Sequence, residues 1–244
     1  MIYIEQPPFL PWLGFCEALI GCTTVALYDD VAYTQGGWQN RNRIKTADGT
    51  PFLTVPVHRA TGRLIRDTPI ADAFDPARML KAIRVAYARA PYTGEALEVI
   101  APPLSGGYRW LADLNLTLIT AIATALGARA RLVPTSTLPL TPTERDDGRS
   151  TRLAAICDRA GEKTLWAGEG TRTYLDTAHL TARGIDVVWN EFPSRHPRYA
   201  QTWPKAGFVP GLSVVDAACA IGWPGTAALL TAGFTAHQTT GACS

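Results

Sequence analysis

The sequence is poor in the residue types that build metal centres and disulfide frameworks. Its five cysteines, Cys16, Cys22, Cys157, Cys219 and Cys243, include no C-x-x-C pair, and its four histidines stand at no ligand-like spacing from one another. We therefore predict reduced thiols that pack as small apolar residues in a cytoplasmic protein, and no metal site.

An excess of charge of one sign is also missing. The formal net charge of the 244 residues is +2 and there is no lysine-rich block, so nothing predicts a general nucleic-acid surface. The longest apolar stretch, residues 9–27, is interrupted by Pro11, Gly14, Glu17 and Gly21 and has no basic leader. We predict that it is neither a signal peptide nor a membrane anchor.

The opening of the chain holds its strongest pattern. A β-type run, Ile2 to Ile4, is followed by a loop from Gln6 to Phe15 that contains three prolines and a glycine, which fix the backbone. A helical pattern at 15–20 and a buried-strand pattern at 23–28 come next. This βαβ opening favours a parallel sheet whose polar site lies at the carboxyl ends of the strands.

Helix and strand patterns continue along the chain. Strand patterns lie at 52–57, 64–70 (an edge), 130–133, 164–167 and 185–189, and helical patterns at 76–91, 108–126, 151–160, 176–183 and 213–221. We predict an α/β fold with a mostly parallel sheet and flanking helices, Rossmann-like, in a single domain over 1–244 whose tail frays after about 236. Residues 134–150 have no apolar period and are either a mobile loop over a site or a solvated connector.

Two adjacent carboxylates follow the second predicted strand. Asp29 and Asp30 would point to opposite faces of an extended chain, so one of them could face the site as a general base that deprotonates an amine. The alternatives are a metal ligand or an ion pair with Arg41 or Arg43. Among the histidines, His196 is the catalytic candidate, with a surface-loop position as the alternative.

Alternating cations form the second candidate feature. Arg41, Arg43 and Lys45 would lie on one side of an extended segment and could bind a phosphate or carboxylate, with Gln39 and Asn40 as added donors. A solvated strand edge is the other interpretation. Further substrate-binding candidates are polar or aromatic residues near strand ends and turns: Gln6, Trp12, Glu169, Tyr174, Tyr199, Gln201 and Asp216.

Several of these stretches resemble the WbqC-like family. The matching segments are QPPFLPWLGF (6–15), LYDDV (27–31), WQNRNRIK (38–45), LTVPV (53–57), APY (90–92), DLN (113–115), GEGTRTYL (168–175) and FVPGLSVVD (208–216). They occur in family order and span nearly the whole chain. The resemblance adds Tyr92 to the substrate-binding candidates.

The resemblance implies a place in bacterial surface-polysaccharide or specialised-metabolite biosynthesis, where some members are linked to attaching an amino acid such as glycine to an amino sugar. The opening is also similar to that of nucleotidyltransferases and pantoate-activating ligases, which bind ATP there. Those enzymes carry an H-x-G-H loop, whereas this chain has Pro11-Trp12-Leu13-Gly14. ATP is therefore a fold-level analogy.

We expect a biosynthetic enzyme that transfers an acyl or aminoacyl group to an amine of a sugar or small metabolite, forming an amide. ATP or an aminoacyl-tRNA could supply the donor, and a small amine or a nucleotide sugar would be the substrate, without a membrane partner. The alternatives are a non-catalytic small-molecule or carrier-binding module of the same pathway and a metal-dependent hydrolase or lyase.

Overall fold

A computed structural model describes residues 1–58 and 62–241. The strands in chain order are β1 (Ile2–Glu5), β2 (Thr24–Leu27), β3 (Arg41–Arg43), β4 (Phe52–Thr54), β5 (Arg131–Pro134), β6 (Thr164–Ala167) and β7 (Asp186–Trp189). The helices are α1 (Leu13–Gly21), α2 (Pro76–Ala86), α3 (Thr93–Leu104), α4 (Leu111–Ala125), α5 (Pro142–Asp146), α6 (Arg149–Ala160), α7 (Thr177–Thr181) and α8 (Val214–Gly241).

Within the described residues, five parallel strands form one sheet in the order β5-β2-β1-β6-β7. The chain fills the sheet outward from β1 in one direction and then returns to fill it in the other. This is the doubly wound, Rossmann-like order, and it confirms the predicted α/β fold. The order reverses between β1 and β6, which is where ligands bind in such folds.

Alternation along the strands places apolar side chains on both faces of this sheet. On one face Ile2 and Ala26 pack with α6 and α7, and on the other Tyr3, Val25 and Leu27 pack with α1 and α4. A third apolar cluster joins α2, α3, α4 and α8 beside the sheet. The sheet is thereby covered on both faces, as parallel sheets require.

Neither of the two segments predicted as strands at 52–57 and 64–70 joins the main sheet. The segment predicted at 52–57 forms β4, but β4 pairs with β3 as a separate antiparallel hairpin outside the main sheet. The segment 64–70 contains a 3₁₀ turn, Ile65–Asp67, and isolated bridges at Leu64, Pro69 and Ile70. Ile65 is buried while Arg66 and Asp67 remain exposed, so the polar pair interrupts the strand pattern.

Helix α3 was missed, and α2 ends at Ala86, before the predicted end at 91. Two prolines, Pro102 and Pro103, stand in the last turn of α3 and hide its helical pattern, because proline removes a backbone donor. Asp75 caps α2: its carboxylate accepts from the Arg78 amide at 2.9 Å.

Of the tail predicted to fray after about 236, residues 236–241 are the last residues of helix α8, while 242–244 lie outside the described residues. By length and composition, its Val214–Thr239 stretch could cross a membrane, but 56% of its most apolar window is buried inside the protein. Gly222, with φ of 72°, breaks the helix. The buried share of α8 is compatible with a core helix of a soluble α/β domain.

Candidate functional site

The largest cavity described here lies over the carboxyl ends of β1, β2 and β6. Its volume is about 590 Å³, within the usual range for a ligand pocket. Strand ends contribute Glu5, Gln6, Tyr28 and Gly168, and the segment before α6 contributes Arg145 and Asp146. We call this the crevice. It occupies the point where the strand order reverses, so the fold itself places it there.

Asp30 does not line the crevice itself but pairs with two arginines that do. Its carboxylate pairs with Arg145, with Arg152 at 2.8 Å, and accepts from the Thr135 hydroxyl at 2.5 Å. Burial alone would raise the pKa of Asp30, but the Thr135 hydrogen bond and the two guanidinium charges hold it below the ordinary value. Asp30 therefore stays ionised and positions arginines; its pairing makes it a poor proton acceptor.

Asp29 is buried and serves the neighbouring turn. It accepts hydrogen bonds from the Ser136 amide at 2.9 Å and the Ser136 hydroxyl at 2.7 Å, which fixes the chain just after β5. The predicted split of the two carboxylates to opposite faces does not occur, because β2 ends at Leu27 and both side chains turn toward residues 135–136.

The first turn of α6 supplies the remaining cations of the crevice. Arg149 and Arg152 are three residues apart and so lie on one face of the helix. Arg149 lies 4.6 Å from the Tyr174 ring centroid, and Arg152 lies 4.8 Å from that of Tyr28. The N-cap residue is Gly148, whose missing side chain leaves the first backbone amides of α6 without a side-chain cap.

Glu5 ends β1 and is an exposed carboxylate in the lining of the crevice. It accepts from the Gln6 amide at 3.0 Å and the Tyr3 hydroxyl at 3.3 Å, and it forms no ion pair with any described residue. The surrounding walls reduce its hydration and raise its pKa, although solvent still reaches the side chain. A carboxylate with a raised pKa is a stronger base than an ordinary one.

A second cavity of about 400 Å³ lies on the other side of the β1 end. Glu5 and Gln6 belong to its wall as well as to the crevice, so one strand end separates the two spaces. Its other lining residues come from the opening loop, the β3 region and the turn before α8: Pro8, Trp12, Trp38, Gln39, Asn42, Arg43 and Gly211. Gln39 donates to the Gln6 side chain across this wall.

The three predicted cations do not converge. Arg41 donates to the Gly36 carbonyl at 2.5 Å and lies over Phe52, while Arg43 faces the second cavity. Lys45 is buried, with its ammonium 2.5 Å from the Gly207 carbonyl. Strand β3 ends at Arg43, so the extended geometry that would align Lys45 with it stops too early.

Four predicted site residues build a buried network beneath α8. Asp216 is fully buried and accepts from the hydroxyls of Tyr199 at 2.7 Å and Tyr87 at 2.9 Å. Burial raises its pKa, against the effect of these two hydrogen bonds. Gln201 accepts from the Lys45 ammonium at 3.2 Å and donates to the Tyr199 hydroxyl at 3.3 Å. The network joins the loop 199–211 to the core, outside both cavities.

His196 has both ring nitrogens occupied by backbone groups. Nδ1 lies 2.9 Å from the Pro197 carbonyl oxygen, and Nε2 accepts from the Gly211 amide at 3.2 Å. A carbonyl only accepts and an amide only donates, so this pattern fits the neutral ring. Burial lowers the pKa of His196, which also favours the neutral ring. The imidazole thus supports the wall of the second cavity from behind.

The remaining candidates lie apart from the two cavities. Asn40 donates to the Val55 carbonyl at 2.8 Å and secures the β3–β4 hairpin. Tyr92 precedes α3 and packs against Gly222, and Glu169 is exposed in a short 3₁₀ turn. The predicted residues that line the crevice or the second cavity are Gln6, Trp12, Gln39, Arg43 and Tyr174.

Among the crevice residues that sequence reasoning missed are Glu5, Tyr28, Arg145, Arg149 and Arg152. Glu5 could have been flagged as the last residue of a strand whose carboxyl end was already expected to carry the site. The spacing of Arg149 and Arg152 at a helix start was a second available signal. In the described part of the chain, no three His, Cys, Asp or Glu side chains cluster as metal ligands.

Comparison with known proteins identifies the family of this chain. The chain is 33% identical over 220 residues to the uncharacterized protein Rv1507c of Mycobacterium tuberculosis (strain ATCC 25618 / H37Rv), a match that covers 88% of this chain and 91% of that protein. No solved structure shows a significant match. The WbqC-like family model matches residues 6–227, which include the opening loop, most lining residues of both cavities and the first half of α8, whereas Glu5 lies just before the match. The chain therefore belongs to the WbqC-like protein family.

Proposed function

We propose that this protein is a cytoplasmic biosynthetic enzyme that transfers an acyl or aminoacyl group to an amine of a sugar or small metabolite. The observation that carries the proposal is the position of Glu5. It is an unpaired carboxylate with a raised pKa in the wall that two cavities share. A group-transfer enzyme needs this arrangement, in which two substrates meet at one proton acceptor.

The crevice is the proposed donor site. Arg149 and Arg152 offer guanidinium groups to an anionic leaving group such as a phosphate, and the first backbone amides of α6 point the same way. Asp30 holds Arg145 and Arg152 in place before the donor arrives. ATP-derived and tRNA-linked donors both satisfy these contacts.

The second cavity is the proposed acceptor site. The amine nitrogen attacks the acyl carbon, the bond from that carbon to the leaving group breaks with its electron pair, and Glu5 takes the proton that the nitrogen loses. The amide groups of Gln6 and Gln39 lie in the same wall and orient the acceptor. Catalysis then rests on positioning and on one proton transfer.

The experiment incubates the protein with a panel of amines and amino sugars, glycine and ATP, and separately with glycyl-tRNA, and detects amide products by their increased mass. Glu5→Gln should lower the rate by about 100-fold or more, because general-base catalysis typically contributes that much. Glu95→Gln, which changes an exposed carboxylate on α3, is the matched control and should keep full activity.

Two outcomes would reject the proposal. Equal product formation by Glu5→Gln and by the unaltered protein would remove Glu5 from the chemistry. Binding of the amines without turnover for any donor would instead indicate a non-catalytic binding module.

A further inference from the structure

The second cavity contains polar groups that the protein leaves without partners. Gln39 is 5% exposed, yet its Oε1 atom accepts no hydrogen bond within the described structure. The buried Nε atom of Arg43 likewise donates none. Both atoms are buried in side chains that line the cavity, so a ligand that turns these side chains inward would complete their hydrogen bonds.

The same cavity carries two opposite charges that do not pair with each other. Glu5 and Arg43 both line it, and neither forms an ion pair with another residue of the described chain. A molecule with a positive group at one end and a negative group at the other would satisfy both.

We infer that the second cavity binds a zwitterionic amine, a small molecule that carries an ammonium group together with a carboxylate or phosphate. Arg43 binds the anionic group, since a guanidinium matches the two oxygens of such a group. Glu5 and the free Oε1 atom of Gln39 accept from the ammonium. This inference rests on the proposed function in one respect: the ammonium loses one proton to water to become the acceptor amine of the transfer, and Glu5 takes the second proton when the amide forms.

The apolar walls specify the body of this ligand. Trp12 is packed edge-on against Phe192 at 5.2 Å, which fixes one indole, and Trp38 is 50% exposed at the mouth. The guanidinium carbon of Arg43 lies over the Trp38 ring, 5.8 Å from its centroid, so the cation and the aromatic face are adjacent. A ring or flat aliphatic segment between the two charged ends would cover these indoles.

The test compares three ring compounds by isothermal titration and saturation-transfer NMR: 4-(aminomethyl)benzoate, benzylamine and benzoate. The first carries both charges and should bind about tenfold or more tightly than either single-charge compound. Arg43→Gln should reduce its affinity to that of benzylamine, and Glu5→Gln to that of benzoate. Arg41→Gln is the matched control, because Arg41 lies on the same strand but outside the cavity, and it should change nothing.

Equal binding of the three compounds, binding of none, or an unchanged preference in Arg43→Gln would overturn the inference. The ranking on the unaltered protein decides the matter even where a variant fails to fold, which circular dichroism reports. The two proposals can fail separately: the ranking without turnover rejects only the transferase, and turnover without the ranking rejects only the zwitterionic ligand.

Discussion

Replacing Asp30 by asparagine should destabilise the protein strongly, because two arginines depend on one buried carboxylate. The Asp30 side chain is 2% exposed, and its partners Arg152 and Arg145 are 13% and 29% exposed. Removing one partner of a fully buried ion pair costs about 3–5 kcal/mol, and the partial exposure of Arg145 reduces this. We expect the free energy of unfolding of Asp30→Asn to fall by about 2–4 kcal/mol.

Urea denaturation followed by fluorescence measures this loss, and the chain offers a matched control. Asp158 also lies between two cations, with Lys163 at 3.3 Å and Arg183 at 3.6 Å, but its side chain is 30% exposed. Asp158→Asn should cost less than about 1 kcal/mol, as exposed pairs do. Similar losses in the two variants would refute the claim that burial makes the Asp30 pairing strong.

The pH dependence gives a second check with a defined sign. The pKa of Asp30 is lowered in the folded protein, so its stabilisation is present above the unfolded-state pKa and is lost as the pH falls through the folded-state pKa. The difference in unfolding free energy between Asp30→Asn and the unaltered protein should therefore be constant near neutral pH and should shrink below pH of about 4. A difference that persisted at lower pH would have another origin.

Three further predictions concern separate parts of the molecule. The pKa of the Glu5 carboxyl should lie above its ordinary value of 4.5 in a carbon-13 NMR titration, where the signal is assigned by its absence in Glu5→Gln. A pKa at or below that value would contradict the partial desolvation of Glu5. Arg195→Lys should lower the free energy of unfolding by about 2–3 kcal/mol in urea, because it breaks the two-point contact of 2.7 and 2.5 Å with buried Glu17; an unchanged midpoint would show that the pair contributes nothing. Gly161→Ala should cost about 1 kcal/mol, since φ there is 75°, whereas Gly94→Ala in α3 should be neutral or stabilising by thermal unfolding; equal effects would rule out backbone strain as the cause.

The sheet could be predicted because each of its strands has a recognisable local sequence pattern. Short β-branched and aliphatic runs such as 164–167 are bounded by glycine or polar residues, and the helices between them force parallel pairing. The hairpin β3–β4 could not be placed, since its strands have three residues each and a sequence pattern does not state which sheet a strand joins. Helix α3 was hidden by its two prolines.

The sequence indicates the position of the candidate site better than the residues that line it. The pattern of the opening loop pointed to the β1 end, where Gln6 and Trp12 line a cavity. The carboxylates after β2 attracted the catalytic role because the sequence shows two adjacent acids and does not show Arg145, which lies 115 residues away from Asp30 along the chain and neutralises it. Side-chain direction beyond a strand end depends on such distant partners, so it was not available from local pattern.

The contact between α1 and α8 has a consequence for synthesis of the chain. The amide of Val214 donates to the Pro11 carbonyl at 2.7 Å, and Glu17 of α1 is neutralised by Arg195. The β1–loop–α1 unit precedes α8 by about 200 residues along the chain, so the side of α1 that packs on α8 and the Glu17 carboxylate stay uncovered until those residues have been made. Docking of the amino-terminal unit is thus a late folding step, and contacts of such long sequence separation slow folding.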